Sequence, residues 1–186
     1  MIPATAQTLA EILAGGTSLL NTEQIDFNHP GMRQDIRPAL NLYCYNIGEN
    51  GQVDRRLNPE KTHTGTLNRS PLWFDISFLV SAWDCTALGE QRLLSEALTM
   101  LLPHRPIAEE LLVPALRGHG NLSMIVSAIG FIEAAALWSA LGVPLRPALY
   151  VTVTVPFTLQ GEPNTPKEVV KKREKVMSFE FKTHNS

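Results

Sequence analysis

Residues Pro71–Asp84 read PLWFDISFLVSAWD, and their alternation decides the fold. Leu72, Phe74, Ile76, Phe78 and Val80 occupy every second position, while Trp73, Leu79 and Trp83 add bulk on the other side. Side chains of a strand point alternately to its two faces, and aromatic and β-branched residues suit a packed, pleated surface. The pattern predicts a strand covered on one face and partly on both. A second run, Ala136–Pro156 (ALWSALGVPLRPALYVTVTVP), ends in the same period. There Leu149, Val151, Val153 and Val155 share one face, and Tyr150, Thr152 and Thr154 the other. That second face is polar but β-favouring, which suits an edge, an interface or a lightly covered sheet surface. Tyr150, Thr152 and Thr154 are therefore the candidate residues for a subunit contact.

Outward from these strands, the rest of the chain alternates between helical and extended periods. Ile2, Ala6, Leu9, Ala10, Ile12 and Leu13 recur as on an amphipathic helix, with Pro3 tolerated in the first turn and Gly15–Gly16 ending it. Ile25 and Phe27 mark a short strand before the Asn28–Gly31 turn. Ala39–Ile47 sets Leu40, Leu42, Cys44 and Asn46 against Asn41, Tyr43, Tyr45 and Ile47, a strand ended by Gly48–Gly51. Gln52–Ser70 is polar and reads as a mobile excursion. Leu88–Leu102 is the strongest helix, closed by Pro103, and Trp73, Leu94, Leu98, Leu101 and Trp138 are expected to form the sheet-to-helix core. A short helix over Ile107–Leu116, a strand over Leu122–Ala128, a helix over Phe131–Leu141 and a strand over Leu149–Thr158 complete the body. This order implies an α+β domain, helices packed on a mixed sheet.

Composition narrows the function. The 186 residues are 44% hydrophobic and 18% charged, enough for one domain with its own core. A formal net charge of −2 offers no basic stripe for nucleic acid. Cys44 and Cys85 lack CxxC spacing and read as buried thiols of a reducing compartment. No signal peptide and no run of eighteen apolar residues is visible, so the expected place of synthesis and assembly is the cytoplasm.

Catalytic patterns are equally sparse. His29, His63, His104, His119 and His184 show no HxH or HExxH spacing, so neither a metal nor any other cofactor is expected. Gly118-His119-Gly120 holds an imidazole in a tight turn, yet reads more simply as a loop whose glycines take positive φ. GxSxG, GxGxxG and GxxxxGK[ST] are all missing. Asp84 reads as a turn or N-cap before the next helix, while Asp75, inside a strand, needs a partner or water if covered.

Residues 1–160 form the expected domain, and 161–186 a linker and C-terminal arm. Pro163, Asn164 and Pro166 make the linker. Lys167, Lys171, Lys172, Arg173 and Lys175 are interrupted by Glu168 and Glu174, so the run suits a solvated linker or a protein contact better than a nucleic-acid site. Val176–Lys182 puts Met177, Phe179 and Phe181 on one face of a strand-forming segment with no evident partner in its own chain: a frayed terminus, or a strand for another sheet.

The strand PLWFDISFLV, the helix RLLSEALTMLLPHRPI with its proline-rich exit, and LWSALG followed by RPALYV together resemble the cap or tail-terminator proteins of extracellular contractile injection systems, bacterial particles like phage tails. The resemblance runs from about Thr5 to Phe157. It implies a tail-terminator-like fold and a non-enzymatic, structural role. Such a cap closes the distal end of the inner tube and sheath, with tube protein, sheath protein and further copies of itself in a hexameric ring as partners, on a particle either released or membrane-anchored. The resemblance is absent after Gly161; there the residues themselves suggest an attachment arm, in which Lys167, Lys171, Lys172, Arg173, Lys175, Met177, Phe179 and Phe181 are expected to meet sheath or a neighbouring cap. Two other readings stay open: another tail-completion adaptor, or a small ligand-binding or hydrolytic α+β domain using His119.

Overall fold

A computed structural model of the chain describes residues 1–15, 22–32, 39–51, 71–127 and 129–157. The Gln52–Ser70 excursion, the linker and the arm lie outside the described residues. The elements are α1 (Ile2–Ala14), β1 (Ile25–Asp26), β2 (Ala39–Glu49), β3 (Leu72–Trp83), α2 (Ala87–Leu101), β4 (Met124–Ser127), α3 (Phe131–Ala140) and β5 (Ala148–Phe157). The five strands form one sheet in the order β1-β2-β3-β5-β4. β1 runs parallel to β2 and the other pairs are antiparallel, so the sheet is mixed as expected.

The alternation in β3 sorts its side chains between two unequal layers. Ile76, Phe78, Val80 and Ala82 enter the large core with Leu40, Leu42, Val151, Val153 and Val155. Leu9 and Leu13 of α1, and Leu93, Leu94, Ala97 and Leu101 of α2, close that core from above. On the opposite face Leu79 meets Trp138 and Tyr150 in a smaller cluster, edged by Tyr43, Tyr45 and Leu137. Hence α1 and α2 cover the first face, and α3 covers part of the second.

Local chemistry fixes the ends of α2. Asp84 Oδ1 accepts from the N–H and hydroxyl of Thr86 at 2.9 and 3.0 Å, and Thr86 Oγ1 accepts from Gly89 N at 3.0 Å. Asp84 is thus the turn residue and Thr86 the N-cap. A Cβ on Gly89 would collide with the Asp84 carboxylate, so the tight turn depends on glycine there.

Several expectations need correction. Leu98 is half-buried; Leu93 takes its place in the helix face beside Leu94, Ala97 and Leu101. Trp138 belongs to the second cluster rather than to the contact between sheet and α2, because α3 packs on the other side. Ile107–Leu116 is not a helix but two 3₁₀ turns, Glu109–Leu111 and Pro114–Leu116. Val113 between them is extended (ψ 151°), the conformation forced on a residue before proline. In β2 a bulge between Cys44 and Asn46 resets the alternation, so Asn46 opposes Ser77. Finally, Cys85 is exposed and Cys44 half-buried, not two buried thiols; burial pushes the Cys44 thiol above its ordinary pKa, against a smaller lowering by the Asn46 backbone.

Candidate functional site

The loop before β4 is held by main-chain bonds. Glu109 Oε1 accepts from Gly118 N at 2.6 Å, Arg117 Nε donates to Leu112 O at 2.7 Å, and Asn121 Oδ1 accepts from Glu109 N at 3.1 Å. Gly118 and Gly120 take φ of 97° and 74°, the left-handed values expected of them. His119 between them is exposed, and the carboxylate at this loop is engaged in holding Gly118. Among the described residues no group of three His, Cys, Asp or Glu side chains is placed to hold a metal. No described helix is long and apolar enough to cross a membrane.

The second sheet face carries the polar residues noted in the sequence. Asp75 accepts from Thr154 Oγ1 at 2.7 Å and from Asn50 Nδ2 at 3.0 Å on each carboxylate oxygen. The strand carboxylate therefore has the partners its position requires. Ser77 Oγ and Thr152 Oγ1 share a bond of 3.1 Å one step along. Beyond them Trp138 Nε1 donates to Tyr150 Oη at 3.3 Å inside the smaller cluster. Of the three expected subunit-contact residues, Tyr150 and Thr154 are thus already buried within the protomer, and only Thr152 stays partly open. β5 is also no edge strand: it runs between β3 and β4. The arm residues Lys167, Lys171, Lys172, Arg173, Lys175, Met177, Phe179 and Phe181 lie outside the described residues.

The apolar surface lies elsewhere. Phe131 and Ile132, in the first turn of α3, are 75% and 83% exposed, the two largest apolar exposures in the described chain. Phe131 continues the stripe of Ala134 and Trp138, yet it stays open to solvent. Ile132 lies on the outer side with exposed Ala136, Ser139 and Ala140. Ile125, 54% exposed on the β4 edge strand, faces the same side of the sheet. Glu133 fixes this turn by accepting from Gly130 N at 2.8 Å. At the opposite edge, α1 and the segment after β1 enclose an open groove of about 610 Å³ lined by Pro3, Ala6, Gln7, Ala10, Glu11 and Phe27.

Sequence reasoning placed these residues in a helix but missed their exposure. In FIEAAALWSA only Glu133 and Ser139 break an apolar surround, so the sequence marks no clear exposed face. The signal was two adjacent bulky residues, Phe131 and Ile132, which cannot point to one side of a helix.

Comparison with known proteins bears on the family and the fold. Residues 4–172 match the family model described as the Pvc16 N-terminal domain. The fold is similar to the PVC sheath/tube terminator of an extracellular contractile injection system in its extended state, at TM-score 0.62 and 19% identity. That match covers 100% of this chain and 65% of the terminator. It is also similar to the anti-feeding prophage cap, a tube-terminating cap, at TM-score 0.55 and 16% identity over 97% of this chain and 59% of that one. The chain therefore spans less than two thirds of either. No curated protein matches it.

Proposed function

This chain belongs to the Pvc16 N-terminal domain family, and on that premise we propose that it is a structural terminator, closing the end of the inner tube and sheath of a contractile injection particle. Family membership across residues 4–172 carries the reading, and the fold shared with two terminators supports it. Copies of the chain close into a homo-hexameric ring that seats on the last ring of tube protein. A stacked series of rings grows because each ring offers the next a complementary face; a terminator offers that face on one side only. Its action is binding, not catalysis.

The arm extends this contact to the sheath or to a neighbouring cap. Lys167, Lys171, Lys172, Arg173 and Lys175 steer it towards acidic surface, and Met177, Phe179 and Phe181 supply the apolar face of a strand added to an open sheet edge. Of Tyr150, Thr152 and Thr154, Thr152 is the one left open enough to join a subunit contact. The protein is made and assembled in the cytoplasm before the particle is complete.

Particles assembled with and without the chain test the reading by negative-stain imaging. With it, tubes end at one length with a closed tip; without it, lengths spread and ends fray. Identical lengths and tips in both preparations contradict it. Removing Thr165–Ser186 should leave rings intact but sheaths uncapped or unstable, and normal capped particles from that variant remove the arm from the account.

A further inference from the structure

Two clefts meet along the outer side of α1. The groove of about 610 Å³ beside Phe27 and a second cleft of about 500 Å³, reaching to His104 and Glu110, are both lined by Gln7 and Glu11. Together they make one channel with an apolar end, at Ala6, Ala10 and Phe27, and a charged end, at Glu11 and Glu110. We propose that the C-terminal arm of the same chain lies in this channel, with Met177, Phe179 and Phe181 at the apolar end and the basic run Lys171–Lys175 at the two carboxylates. The inference needs neither a ring nor a tube.

Charge and apolar character argue for this occupant. Residues 167–182 hold six Lys and Arg against three Glu, a net +3 that leaves −5 on the rest of a chain whose total is −2. Charge divided this unevenly draws the arm to the body. In the channel Glu11 and Glu110 are exposed, and Glu11 accepts from the neutral amide of Gln7 at 3.1 Å. Among the described residues neither carboxylate has an ion-pair partner. Arg117, the cation of the second cleft, is turned to the main chain: Nε donates to Leu112 O at 2.7 Å and Nη2 to Glu110 O at 3.4 Å. His104 is the remaining titratable group there. The exposed pair Phe131 and Ile132 offers no such match, because the Glu133 carboxylate beside it is taken by Gly130 N.

Length and attachment favour the arm's own body as host. Along α1, Pro3 to Ala10 spans about 10 Å, and an extended Met177–Phe181 covers about 13 Å. From Phe157 to Lys171 the chain spans up to about 50 Å, whereas a body of about 160 residues is about 40 Å across. Such a tether holds the arm at an effective concentration of about 1 mM, well above that of a second copy's arm in dilute protein. The residues seated here are those given above to the sheath or a neighbouring cap. The two contacts therefore exclude each other, and assembly must lift the arm from its own body.

Photocrosslinking on the full chain decides the matter, with a photoreactive phenylalanine analogue in place of Phe179. Cross-links are expected within one chain, to α1 or Phe27, with a yield constant over about a hundredfold range of concentration. Glu11→Lys with Glu110→Lys should lower that yield about tenfold, and adding Lys171→Glu, Lys172→Glu and Arg173→Glu should restore it. Glu11 and Glu110 are exposed, so the variants should melt as the wild type does. Cross-links to other parts of the body, or none, overturn the proposal, and so does a yield unmoved by the charge changes. Cross-links confined to dimers would make a second copy the host, and the proposal fails. None of these results bears on the terminator reading, since no tube takes part.

Discussion

The two faces of the sheet are built from the same strands yet do opposite work. On the first, Ile76, Phe78, Val80, Val151, Val153 and Val155 meet two helices and form an apolar core, beside which buried Thr8 Oγ1 accepts from Val113 N at 3.2 Å. On the second, α3 covers only the end around Leu79, Trp138 and Tyr150; the other end is tied by Asp75, Asn50, Thr154, Ser77 and Thr152. The difference shows where stability and assembly separate. Apolar alternation on one face suffices to build the body. The other face is held by hydrogen bonds and one short helix, and that helix begins in the open. Phe131 and Ile132 are left out of the core at that start.

Substitutions on each face can break this comparison. Phe78→Ala, on the first face, should cost about 3–5 kcal/mol in chemical denaturation, since it empties a fully buried position between sheet and helices. A near-neutral result would mean that this face is loosely packed. Within α2 the same test can be made sharper: Leu101→Ala should cost about 2–5 kcal/mol, and Leu98→Ala clearly less, because Leu101 is fully buried and Leu98 is not. Equal costs would return Leu98 to the core. On the second face, Thr154→Val keeps the strand propensity and removes one hydrogen bond to a carboxylate, an expected loss of about 1.5–3 kcal/mol. No loss there would show that Asn50 alone satisfies Asp75.

The smallest effect concerns the thiols. Cys44 packs at the margin of the first core, and burial holds its thiol above the ordinary pKa. The native state then keeps its proton more tightly than the unfolded chain does. The contribution to stability is therefore full below the ordinary thiol pKa and lost as pH rises from there through the raised native value. A thiol reagent near pH 8 should label exposed Cys85 first and Cys44 slowly, with the gap closing on unfolding. Equal native rates would mean that Cys44 is more open than its surroundings indicate.

Much of the fold was legible because strand alternation is a short-range signal. The faces of β3 and β5, the glycine-stopped ends of α1 and α3, and the positive φ at Gly118 and Gly120 all follow from residues beside one another in the chain. What escaped depends on contacts distant in sequence. Nothing within Leu88–Leu102 says that Leu93 rather than Leu98 will face the sheet, since both fit a helical stripe. Nothing in LYVTVTV says that Tyr150 will meet Trp138, which turns an apparent contact surface into an inner one. The bulge after Cys44 flips the parity of β2 without a glycine to announce it. The exposure of Phe131 and Ile132 was hidden for the same reason: it depends on what packs against the start of α3.

The central claim is that this chain seats at the end of a tube and stops it. Gold labelling of a tagged full-length chain, mixed with growing tubes and imaged by electron microscopy, tests it most directly. The account predicts label confined to one end of each tube, and labelled tubes that no longer lengthen. Label scattered along the tubes, or labelled tubes that keep growing, would contradict it.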